Sequence, residues 1–297
     1  MLDGMAADWR TTYTMASDPP PAVSWLTYDA SARRQFKMLL NSPAPSERAL
    51  QRFLNQNPSF LPGAAGTTGL GGHHGPILDA VITQPPLPGI KQPLPDFVWI
   101  RKDTEKVVPI LIEIEAPAKR WFRKDMLPRK ELTQAIGQVD SWRAWFNSPA
   151  NVLQFRTLYG IDSWAPNHAF IPEYVLIYGR RSEFEEDEDL RKVRASMERP
   201  ALRWLTYDGL YPHPEAWSYV TVAIRRQKPI AVSFPPTFKI GPMNAPSLVR
   251  ISNKEDAIHS MAGVSAARRN FLIHRTAYWD RWAKDGARGV VSTGDWE

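Results

Sequence analysis

Cysteine is absent from the 297 residues. Its absence excludes a disulfide framework and any thiolate metal site, and it fits a reducing, cytoplasmic setting. Long apolar runs are absent too. No stretch approaches the roughly 20 residues needed to span a bilayer, so no membrane partner is expected. The N-terminal stretch MLDGMAADWRTTYTM lacks a basic start followed by an apolar run and does not read as a signal peptide. There is no GxxxxGK[ST] sequence to cradle a nucleotide, and no nucleophile elbow for Ser/His/Asp chemistry. No internal repeat appears. The length leaves one large domain or two smaller ones.

Positive charge is what the chain has in surplus. A net charge of +6 favours contact with a polyanion such as nucleic acid. Aromatics are plentiful, with twelve tryptophans.

Residues 1–30 read as an extension broken by Pro19-Pro20-Pro21, and 30–40 has helical spacing. Ser46 can cap a helix carrying Leu50, Phe53 and Leu54 on one face, closed by Pro58. The Gly-rich stretch 63–75 predicts a loop, and His73-His74 within it read as loop residues rather than a chelate. ILDAVIT (77–83), DFVWIR (96–101) and VVPILIEIE (107–115) predict strands, the last two joined as a hairpin through KDTEK. A helix is predicted over 128–146, with proline in its first turn. A strand at 173–179, a charged helix at 183–197 and a strand at 201–210 entering a short helix follow. This order predicts an α/β core in which helices flank a mixed β-sheet. After residue 212 the pattern weakens to two strands and a terminal helix over 265–284. The chain divides into an N-terminal extension (1–45), a core domain (46–211) and a C-terminal α+β accessory region (212–297).

The stretch DFVWIRKDTEKVVPILIEIEAP places two glutamates, Glu113 and Glu115, at the end of an apolar strand. A period of two puts both on one face. Across the hairpin, Asp96 begins the partner strand, so the three acids can meet at its open end. Converging carboxylates repel unless a cation sits among them, and Mg²⁺ or Mn²⁺ takes such oxygen ligands. A basic run follows at once: Lys119, Arg120, Arg123, Lys124, Arg129 and Lys130, opposed by Asp125. Acids followed by bases suit metal-assisted phosphodiester chemistry, with the bases along flanking phosphates. Gln134 and Gln138 lie four apart on one helix face. The plain alternative is acids exposed at a strand end, paired with Arg120 or Arg123. A two-carboxylate glycosidase would hold its acids across a cleft, not two residues apart on one strand.

Five stretches carry a resemblance: SERALQRFLNQNPSFL (46–61), PDFVWI (95–100), ILIEIEAP (110–117), LTQAIGQVDSW (132–142), and VLIYGRR (175–181) with LTYDGL (205–210). In this order they resemble the PD-(D/E)xK nuclease superfamily, and more narrowly the Shedu family of bacterial anti-phage defence nucleases. The resemblance implies a restriction-endonuclease-like core and a Mg²⁺- or Mn²⁺-dependent endonuclease or nickase acting on phage or plasmid double-stranded DNA as a homo-oligomer. It implies Asp96 and Glu113 as metal ligands, Glu47 as the helix-borne acid near the metal, and Gln134 and Gln138 as the paired glutamines. Glu115 departs from the pattern, which has lysine there. It is expected either as a further ligand or as the mark of a relative that binds DNA without cutting, and Lys119 or Lys130 is the expected substitute for the missing charge.

Overall fold

The computed structural model describes residues 13–43, 45–64, 74–89, 94–185, 187–287 and 289–297. Expectations for residues 1–12, for most of the Gly-rich loop including His73, for 90–93 and for Glu186 lie outside the described residues.

Serine caps begin the first two helices. Ser24 Oγ accepts from Thr27 N–H at the head of α1 (Trp25–Leu40), and Ser46 Oγ accepts from Ala49 N–H at the head of α2 (Glu47–Gln56). The extension is therefore helical from Trp25, earlier than its spacing suggested. After α2 come β1 (Ala80–Thr83), β2 (Phe97–Lys102) and β3 (Lys106–Ile114). β1 is shorter than expected because 77–79 form a 3-10 turn with Leu78 at φ 65.

Three helices follow: α3 (Lys130–Phe146), α4 (Pro149–Tyr159) and the single-turn α5 (Ile161–Trp164). Pro128 precedes α3 instead of opening it. α4 had no counterpart in the sequence reading, because Phe155 and Tyr159 alone are buried along it. Next are β4 (Ala169–Phe170), β5 (Glu173–Ile177), α6 (Ser182–Glu185), α7 (Glu188–Ser196) and β6 (Leu202–Leu205). The single charged helix expected at 183–197 is thus two, with Asp187 capping the second through Leu190 N–H. β7 (Val220–Arg225), β8 (Lys228–Ser233), α8 (Ala245–Leu248), α9 (Lys254–His259) and α10 (Ala266–Lys284) complete the chain.

The strands form one mixed sheet in the order β6-β5-β3-β2-β1-β7-β8, with β4 beside the start of β3. β2 is antiparallel to both β1 and β3, whereas β5 runs parallel to β3 and β7 parallel to β1. The pairing of β7 with β1 carries the sheet into residues 212–297.

Helices cover both faces. On one, Phe36, Leu50, Phe53 and Leu54 of α1 and α2 pack on Phe97, Ile110, Ile112 and Ile114. On the other, Leu132, Val139 and Trp142 of α3 and Leu272 and Trp279 of α10 join a core that includes Val98, Leu111 and Leu176. Alternation along β3 therefore sends Ile112 and Ile114 toward α2, and Leu111 and Glu113 toward α3. The mixed sheet flanked by helices agrees with the expected α/β class.

Candidate acidic site at the open end of the β2–β3 hairpin

Register places the first two acids. Phe97 pairs with Ile112, so one step further sets Asp96 opposite Glu113. Asp96 N–H donates to Ile112 O at 3.0 Å, and Gln84 N–H donates to Asp96 O at 2.8 Å. The aspartate is held by main chain on both sides. Its Oδ2 accepts from Ile114 N–H at 2.9 Å. Gln51, one turn along α2 from Glu47, donates from Nε2 to Thr83 Oγ1 at 3.1 Å and to Asp96 O at 3.5 Å.

Glu113 is buried. Its Oε1 accepts from Gln138 Nε2 of α3 at 2.7 Å. Its Oε2 is buried with no hydrogen-bond donor among the described residues. A buried carboxylate oxygen without a donor is costly. Asp96 and Glu113 lie opposite each other across the hairpin, and each perturbs the other's protonation.

Protonation follows from this. Burial, opposed by the Ile114 N–H and reinforced by the charges of Glu47 and Glu115, raises Asp96 from its ordinary 3.8 to about 7. Burial, then the charges of Asp96, Glu115 and Glu47, lifts Glu113 well above the ordinary carboxylate range. The two titrate as a pair.

Glu115 lies just past the strand end and forms an ion pair with Lys119 Nζ. Glu47, at the exposed N-terminus of α2, meets Glu115. Partial burial and then that neighbour raise its pKa, against the pull of Lys119. Under them Tyr207 is fully buried and donates its hydroxyl to Glu115 O at 2.7 Å. Burial first, then the four acids, holds its phenol well above its ordinary pKa.

These groups line an open pocket of about 500 Å³: Glu47, Asp96, Glu113, Glu115, Lys119 and Gln138, with Gln84 and Leu94 at the edge. Among the described residues, four carboxylates thus face a single ammonium group. Another cavity of about 400 Å³, between α1, α2 and β8, is lined by no acid and no histidine among the described residues. The poorer chemistry of that cavity makes the acidic pocket the candidate site.

The hairpin brings Asp96, Glu113 and Glu115 to the pocket, α2 brings Glu47 and α3 brings Gln138. Gln134, one turn earlier on α3, is exposed and is not among the pocket's lining residues. The expected convergence of three acids resolves into two pairs, Asp96 with Glu113 and Glu115 with Glu47. Among the described residues no group of three acids or histidines is disposed to hold one ion together. The donor-less Glu113 Oε2 beside Asp96 does fit a hard cation that takes two protein carboxylates and draws its other oxygens from water and phosphate.

Of the basic run, Lys119 reaches the pocket. Arg120, Arg123, Lys124 and Arg129 are exposed on the segment between β3 and α3, and Lys130 is exposed at the first position of α3. Arg120 lies 3.8 Å from Glu183, Arg123 pairs with Asp125 at 2.8 Å, and Arg129 Nε donates to Phe122 O at 3.1 Å. Gln51, Gln84 and Tyr207 are site residues that spacing did not pick out. Tyr207 falls within the LTYDGL stretch, but nothing in its neighbours signals that it passes under Glu115.

Among the described residues no helix is long and apolar enough to cross a membrane. The family described as "Shedu protein SduA, C-terminal" matches residues 44–211, more than half of the chain. No curated protein matches it.

Proposed function

The chain belongs to the Shedu family of anti-phage defence proteins, and on that premise we propose that it is a Mg²⁺- or Mn²⁺-dependent DNA endonuclease or nickase working from the acidic pocket. The observation that carries this reading is the Asp96–Glu113 pair. Two acids lie opposite each other, one buried oxygen has no donor among the described residues, and the basic run begins six residues after Glu113. Under this reading the mixed sheet is a restriction-endonuclease-like core, with Asp96 on one side of the hairpin and Glu113 on the other.

Asp96 and Glu113 would hold the cation. Bound there, it would polarise a phosphodiester and lower the pKa of an attacking water. The protein's own groups do the rest. Gln138 fixes the Glu113 carboxylate through Oε1, and Ile114 N–H fixes Asp96 through Oδ2, so both ligands are oriented before substrate arrives. Lys119 brings to the pocket the positive charge that the superfamily places at the position of Glu115, and it stabilises charge on the phosphate as water adds and the 3′ oxygen departs. The products are a 5′-phosphate and a 3′-hydroxyl. Exposed Arg120, Arg123, Lys124, Arg129 and Lys130 bind flanking phosphates, and binding weakens with salt accordingly.

One observation favours a second reading, a DNA-binding relative that no longer cuts: the ammonium of Lys119 in the pocket is already paired with Glu115. Plasmid and linear DNA incubated with Mg²⁺ or Mn²⁺ decide between them. Wild type is expected to nick or cut, while Asp96→Asn and Glu113→Gln lose the activity. Cutting by wild type no faster than by the variants overturns the nuclease reading, and salt-sensitive retention without cutting supports the second.

A further inference from the structure

The segment between β3 and α3 ends in a loop that the phosphate-binding role does not use up. Phe122 and Pro128 pair as an isolated antiparallel bridge, and Arg123 N–H donates to Leu127 O at 2.9 Å. Within the loop, Met126 N–H donates to Arg123 O at 3.1 Å and Leu127 N–H to Asp125 Oδ1 at 3.4 Å. Met126 takes a left-handed φ of 60. The neck is anchored in the core. Trp121 and Phe122 are buried, their N–H groups donate to the Glu183 carboxylate at 2.9 and 3.1 Å, and Trp121 Nε1 donates to Tyr178 O at 3.0 Å. Arg129 closes the far side through Phe122 O and Trp121 O.

At the tip of this braced loop, Met126 and Leu127 stand 46% and 56% exposed, two adjacent large apolar side chains in solvent. A loop so well hydrogen-bonded at its neck has no need of apolar residues at its tip for its own stability, since neither is buried. Around them are Arg123, Lys124, Arg129 and Lys130, with Asp125 opposing. Met and Arg are as common in protein interfaces as Lys is rare, so residue type at the tip does not select the partner, and charge does. Four cations within three residues of this apolar tip, against the single acid Asp125, suit a polyanion, and the combination matches the apolar wedges that enter between base steps while neighbouring cations hold the backbone.

We infer that Met126 and Leu127 form a wedge that enters and unstacks a base step of duplex DNA held by the neighbouring cations. This rests on the nuclease reading for its ligand and adds a device for deforming it. Unstacking costs least at TA and CA/TG steps, so the wedge gives a preference for flexible steps without reading bases.

The test uses the full chain and short duplexes with 2-aminopurine, whose fluorescence rises on unstacking, at successive positions, in Ca²⁺ to hold substrate uncut. Wild type is expected to raise the signal at one step, more strongly when that step is TA than when it is GC. Met126→Ser/Leu127→Ser, both exposed, is expected to abolish the rise while the slope of log affinity on log salt stays as in wild type. Arg123→Ala/Lys124→Ala is expected to flatten that slope by about 0.9 for each phosphate no longer neutralised. Duplex binding with no rise at any step overturns the wedge and leaves the nuclease reading standing. An equal rise in the serine variant, or tip-dependent self-association of the protein without DNA, overturns the wedge as well. Failure to bind any duplex overturns the parent reading and the wedge with it.

Discussion

Two buried glutamates are treated in opposite ways by the same molecule. Glu297 is almost fully buried near α10. Its carboxylate accepts from Arg275 Nε and Nη2, from Trp279 Nε1 at 3.0 Å and from Ala16 N–H at 2.6 Å. Its charge is met by a cation and its oxygens by donors. Glu113 is buried to a similar depth, yet among the described residues it has one amide donor, one oxygen without a donor and three acids for company. The first is how a fold stabilises a buried carboxylate. The second does not stabilise the fold, and it is the arrangement expected of the proposed cation site.

This contrast predicts opposite signs for the same substitution, and the largest effect is at the satisfied residue. Glu297→Gln removes the partner of Arg275 and is expected to cost about 3 kcal/mol in urea unfolding, with Arg275→Met costing about as much. If both changes are silent, the contrast between the two glutamates collapses.

A third acid separates burial from crowding. Asp79, in the 3-10 turn before β1, is raised by burial from 3.8 to about 6, opposed by a Ser247 hydrogen bond. The folded state therefore holds the Asp79 proton more tightly than the unfolded chain. Its contribution to stability is greatest below pH 4, falls as pH rises through that window to about 6, and is flat above it. Asp79→Asn should match wild type below pH 4 and exceed it by about 2–3 kcal/mol above pH 6, measured by unfolding across pH. A uniform gain or loss at all pH values would show that the side chain acts by packing and not by charge.

The smallest effect is at the site itself. Glu113→Gln is expected to raise stability in the absence of divalent ions by about 1 kcal/mol, the common exchange of function for stability. Mg²⁺ or Mn²⁺ should stabilise wild type by about 1.4 kcal/mol at ten times its Kd and leave Glu113→Gln unmoved. Equal ion-induced shifts in both proteins would place the cation elsewhere.

Some of this was legible beforehand. Asp96 and Glu113 could be paired on paper because a hairpin with a defined turn has a register, and register is arithmetic on residue numbers. The cap at Ser46 and the terminal helix were readable for the same local reason. α4 was not, since too few of its side chains are buried to print a period. Neither were Tyr207, which arrives from another strand's end far along the chain, nor the fate of Glu115. By alternation Glu115 belongs with Glu113, but the chain leaves the sheet after Ile114 and the next acid it meets is Glu47.

Local order in the chain was enough to specify the acids, the hairpin that aligns two of them, the surplus of cations that follows and the alternation that builds a two-faced sheet, because each depends on residues close together in sequence. Packing in three dimensions was needed to settle which carboxylates share a space, that Gln138 and not Gln134 reaches Glu113, that Lys119 pairs with Glu115, and that one buried glutamate has an arginine while the other has an amide. Those outcomes depend on where α2, α3 and the stretch after β6 pack against the sheet, and that packing is fixed by the whole core at once.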